Sequence, residues 1–187
     1  MALKKNSETI TISSRVDQGT VNSFEVTPID LQLNPLDNEV FVVTAVRIDF
    51  LGSLPLPNNV LGPTTTLPFA EVGCTTTRPS IMPTMGNTNC FAYASRAVAY
   101  GVSQDASGAN ELTAAAVFEN NSNDVPDAML DYIAIIATSD FFISINTDGY
   151  LVTPADTQDV AVRVYGYRAK ADAATYAALV QSEVLSS

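Results

Sequence analysis

The sequence predicts an all-β fold, a single jelly-roll sandwich or barrel of about eight strands with one C-terminal amphipathic helix. Three observations predict it. Glu39–Leu51 alternates with period two and is rich in β-branched and aromatic residues, as a packed strand requires. Short apolar segments recur between clusters of Gly, Pro, Asn and Asp, a spacing typical of sandwiches and barrels. Helical periodicity is found only after residue 169. The 187 residues suit one domain, 1–187, with an N-terminal arm at 1–7 and a helix and tail at 169–187.

Residues 9–12 alternate Thr and Ile and read as a first strand, ended by a turn at 17–19. Residues 20–33 alternate again, and Pro28 puts that strand at an edge or a bulge. A turn cluster at 34–38 feeds Glu39–Leu51. There, Val42, Thr44, Val46, Ile48 and Phe50 are expected on one face, with Phe41, Val43, Ala45, Arg47 and Asp49 on the other. The first half is apolar on both faces and should be buried on both. Arg47 and Asp49 turn the second half toward water or a neighbour. Further strands are expected at 67–76, 90–100, 112–119 and 128–138, the last of them buried, although the small residues of 90–100 and of 114–116 also allow a helix. Residues 52–66, 77–89, 103–110 and 120–127 read as loops. A strand at 141–147 leads to Asp148-Gly149, which suits a tight hairpin with 150–152 pairing back. Residues 159–168 form the closing strand. Ala173, Tyr176, Ala177, Val180 and Val184 then share one helical face, with Asp172 placed as its cap. The long proline-rich crossings favour Greek-key or jelly-roll connections over a meander.

The chemistry is limited by what the chain lacks. It contains no histidine, so Ser-His-Asp, Cys-His and histidine–metal centres are excluded. Asp124, Asp127 and Asp131 are the densest carboxylates, but Asp124 and Asp127 lie in a polar loop, where solvated turn residues account for them. Asn146 to Gly149 lacks the acidic spacing of a calcium loop and reads as the hairpin turn. No catalytic, cofactor-binding or metal site is expected. The formal charge of −11 repels phosphate, so direct nucleic-acid binding is not expected. No apolar run is long enough to span a membrane, and the N-terminus does not read as a secretory signal. Cys74 and Cys90 bracket a Thr/Pro/Asn-rich loop, either as a disulfide or as two small apolar thiols.

The candidate residues are therefore for contact. Lys4 and Lys5 form a basic arm suited to acidic neighbours or lipid headgroups. Arg47, Arg96, Arg163 and Arg168 lie within predicted strands, where arginines pair with carboxylates or line interfaces, and Arg47 and Arg163 are the interface candidates. Tyr176, Val180 and Val184 give the helix an apolar face that closes the domain or docks on a partner.

The run at residues 30–43, the closing strand at 160–168 followed by a helix, the size and the acidity together resemble a viral family. It is the smaller major capsid protein of tailless, internal-membrane icosahedral viruses of halophilic archaea. The resemblance implies an upright single jelly roll in the virion that pairs with itself and with a larger capsid protein. It also implies proximity to an internal lipid vesicle and no catalytic residues. The alternative is a secreted or cell-surface β-sandwich, an adhesin or carbohydrate-binding module.

Overall fold

A computed structural model describes residues 3–51, 67–104, 110–120, 123–124, 131–150 and 158–185. The chain order is β1 (Lys4–Lys5), β2 (Ile10–Asp17), β3 (Phe24–Asp30), a 3-10 turn (Pro35–Asp37), β4 (Glu39–Leu51), β5 (Phe69–Thr75) and β6 (Cys90–Gln104). It continues with β7 (Asn110–Asn120), β8 (Asn123–Asp124), β9 (Ala134–Ile136), β10 (Asp140–Asp148), β11 (Asp159–Lys170) and α1 (Ala173–Leu185).

The strands form two antiparallel sheets. In the first, β1 and β2 pair along one side of β11, β11 pairs with β4, and β8 and β9 share the far side of β4. The second runs β3-β10-β5-β6-β7. With β1–β2 and β8–β9 counted as two interrupted edge strands, eight positions run along the chain. The first sheet takes positions one, eight, three and six, and the second takes two, seven, four and five, with β7 added outside β6. That interleaving of two Greek keys is the jelly roll expected from the sequence.

The main core lies between the sheets. Val46, Ile48, Val162 and Val164 of the first face Val72, Ile143, Ile145 and Phe91 of the second, and the Phe91 and Phe141 rings meet edge to face at 5.9 Å. A second cluster lies outside the first sheet. There, Val40, Val42, Ala137, Ala169 and Ala171 pack beneath Tyr176, Leu179 and Val180 of α1. The first half of β4 is thus buried on both faces, as its composition predicts.

The alternation expected along β4 does not run unbroken. Phe41 and Val43 share the main core with Val46 and Ile48, whereas Val40 and Val42 face the helix. A bulge is the cause: Tyr165 pairs with Ala45 and Gly166 with Val43, so Thr44 is an extra residue that switches the faces. The Thr44 hydroxyl bonds back to the Tyr165 carbonyl at 3.2 Å. One strand therefore serves two cores.

Other expectations are corrected. Within 131–138 only Ala134–Ile136 is strand, and part of the expected 128–138 strand lies outside the described residues. Gly149 has φ 76°, as the turn requires, but β10 already pairs with β3 and β5 on its two sides. Tyr150 therefore cannot return along it. Asn22 clasps Tyr150 instead: the Tyr150 N–H donates to Asn22 Oδ1 at 2.8 Å and Asn22 Nδ2 donates to the Tyr150 carbonyl at 2.9 Å. Residues 151–152 lie outside the described residues. The N-terminal arm is partly strand, since Lys4 and Lys5 pair with Lys170 and Ala169. Pro28 lies on β3, an edge strand, as expected.

Candidate functional site

Most of the candidate residues lie on the outer surfaces of the two sheets, and Arg96 and Cys74 do not. The outside of the first sheet is divided. At one end α1 covers it, and at the other it lies open. Asp172 starts the helix by accepting the Thr175 N–H at 2.9 Å and its hydroxyl at 2.8 Å, which holds the Asp172 carboxyl below its usual range. Tyr176 and Val180 pack on the second cluster of their own chain, so their docking face is an internal one. Val184 is 62% exposed. The buried position at this end of the helix belongs to Glu183 instead. The inward face is Tyr176, Leu179, Val180 and Glu183, one step off the stripe of Ala173, Ala177 and Val184.

Glu183 is the anchor that sequence reasoning missed. Its Oε1 accepts the Ala137 N–H at 3.1 Å and its Oε2 the Thr138 N–H at 3.0 Å. The helix thereby caps the chain between β9 and β10. Burial raises the Glu183 pKa and the two backbone bonds oppose it, with burial the larger effect. A lone Glu among apolar helical residues gives no signal of this in the sequence.

On the open half, Arg163 and Arg47 stand directly opposite each other on β11 and β4. Side by side they repel. Arg47 is offset by Asp49, with Nε to Oδ2 at 2.9 Å. Arg163 is exposed and makes no ion pair among the described residues. Arg15 bridges Asp17 and Asp159 nearby. Lys5 lies over the Tyr167 ring, 5.0 Å from its centroid, and Lys4 is exposed on the same edge strand. Arg168 pairs with Glu39 at 3.6 Å and donates to the Leu31 carbonyl at 3.0 Å, tying the corner formed by 30–39.

On the outside of the second sheet, Glu71 accepts Tyr93 Oη at 2.5 Å and Asn146 Nδ2 at 3.2 Å. Burial, then the bond to Glu71, raises the Tyr93 phenol well above its usual range. The β5–β6 loop folds over Gly73, where an added Cβ would lie 2.6 Å from the Pro83 ring. Cys74 and Cys90 sit on the adjacent strands β5 and β6, with Cys74 opposite Ala92 and Cys90 opposite Thr75. Arg96 faces inward. It is buried, and its Nε has no hydrogen-bond partner among the described residues. Beyond β6, residues 116–120 of β7 are all exposed. Val117 and Phe118 point to opposite faces and are 41% and 65% exposed.

Of the carboxylates, Asp131 is exposed, Asp124 pairs opposite Val46 in β8, and Asp127 lies outside the described residues. Asp148 Oδ1 accepts the Gly149 N–H at 2.8 Å, a turn contact. No group of three or more metal-ligating side chains occurs among the described residues.

No protein-family model matches the chain, and no curated protein matches it. Among solved structures it is similar to VP1 of Trichodysplasia spinulosa-associated polyomavirus, at 8% identity and a TM-score of 0.44, over 91% of this chain and 100% of that one. It is also similar to Merkel cell polyomavirus VP1, solved as an unassembled pentamer, at 8% identity and 0.42, over 92% of this chain and 99% of that one. The same VP1 in complex with 3'-sialyllactosamine matches at 7% identity and 0.41, over 90% and 98%. Each is a likeness in chain path, and none assigns a family.

Proposed function

We propose that this protein is a structural subunit of a virion, a major capsid protein that joins copies of itself into the capsomers of an icosahedral shell. The observation that carries this reading is the strand order, two interleaved four-strand Greek keys with an extra strand added at one flank. Such a body presents flat sides and strand edges along its length, which suit lateral packing of copies. A larger capsid protein is its second partner. The exposed Lys4 contributes to contact with an acidic neighbour or an internal membrane. The chain catalyses no reaction and leaves nucleic acid to other components.

The charge makes the reading testable. Copies at −11 repel one another, and salt shortens the reach of that repulsion from roughly 30 Å at 0.01 M to roughly 3 Å at 1 M. Sedimentation velocity is expected to show oligomers at molar salt that dissociate to the 19.9 kDa chain as salt is removed. A 19.9 kDa particle at every salt and protein concentration would overturn the proposal.

A further inference from the structure

Four strand edges border the two sheets, and they are not equally protected. Exposed edges offer unpaired N–H and C=O groups, and proteins guard them with proline, charge or interruption. The β3 edge carries Pro28 between Glu25 and Asp30. The edge beyond β4 is broken into β8 and β9, of 2 and 3 residues. The other two keep longer runs with no proline in them. β2 runs 8 residues without proline or lysine, and its one arginine, Arg15, is neutralised by Asp17 and Asp159. β7 runs 11 residues without proline, with the apolar Val117 and Phe118 exposed on its two faces. Among the described residues, β2 pairs only with β11 and β7 only with β6.

We propose that these two edges are made for each other: β7 of one copy adds to β2 of the next. The inference rests on the assembly reading above. Charge favours the match. Lys4 and Lys5 adjoin β2, and residues 3–17 carry Lys4, Lys5 and Arg15 against Glu8 and Asp17, a net +1 on a chain of −11. β7 carries Glu111 and Glu119 and no base, a net −2. Pairing β7 with its own symmetry mate would bring acid to acid. The two edges border different sheets on opposite flanks, so their contact is head to tail, the kind that closes into a ring.

Hydrogen exchange read by mass spectrometry, comparing dilute monomer with the assembled form, tests this. Amides of both 10–17 and 110–120 are expected to gain protection, while those of 24–30 do not. Phe118→Lys should leave the unfolding midpoint unchanged and weaken association by about tenfold or more. Ile81→Lys, a change at a somewhat more exposed position on the β5–β6 loop, should leave association intact. Protection gained at β7 without β2, or at neither, would overturn the head-to-tail pairing while leaving assembly standing. A chain that never assembles would overturn both proposals.

Discussion

Gly166→Ala is expected to lower the unfolding free energy by ~3 kcal/mol, and Gly166→Val to prevent folding. Gly166 lies across from the β4 bulge, where the extra Thr44 brings the strand close. A Cβ there would lie 2.3 Å from the Val42 carbonyl oxygen and 2.7 Å from the Phe41 ring. Both neighbours are fixed. Val42 is fully buried under the helix, and Phe41 is 1% exposed in the main core. A side chain at 166 therefore pushes on both cores at once. Urea unfolding followed by circular dichroism measures the effect as a lower midpoint. Adding Phe41→Leu should recover only part of it, because the carbonyl stays in place. An unchanged midpoint for Gly166→Ala would mean that the bulge is not held as described.

The bulge also marks the limit of what was legible in the sequence. Composition placed β4 at Glu39–Leu51 and foresaw its doubly buried first half, because a long β-branched run has few other uses. Period two assumes an unbroken ladder, and a single extra residue swaps the faces with no change in composition. The turn at Asp148-Gly149 was legible from its glycine, but not that β10 would be paired on both sides. Strand neighbours are set by long-range packing, which local periodicity does not record. The same holds for the surfaces. Arg47 and Arg163 were each legible as strand residues, but their standing directly opposite each other depends on the β4–β11 register. Tyr176 and Val180 share an apolar helical face, as their spacing predicts, and spacing alone is the same for a face that meets a partner as for one that meets its own sheet. This face meets Val40, Val42 and Ala169.

Glu183 decides how firmly that helix is held. Glu183→Ala removes the acceptor from the Ala137 and Thr138 N–H groups and should destabilise the protein by ~3 kcal/mol, since two backbone donors lose their partner and a buried donor left alone is costly. Glu183→Gln keeps the shape and one acceptor oxygen, so its loss should be smaller. The pH dependence separates charge from shape. Burial raises the Glu183 pKa above its ordinary 4.5, so over the window between those two values the native state holds a proton that the unfolded chain has released. Stability contributed by this group therefore falls as pH rises through the window and is flat above it. Subtracting the Gln variant cancels the other carboxylates. The wild-type advantage in urea unfolding should be larger at pH 4.5 than at pH 7. An advantage that shrinks on acidification would mean that the two backbone bonds outweigh burial and hold this carboxyl below its ordinary pKa.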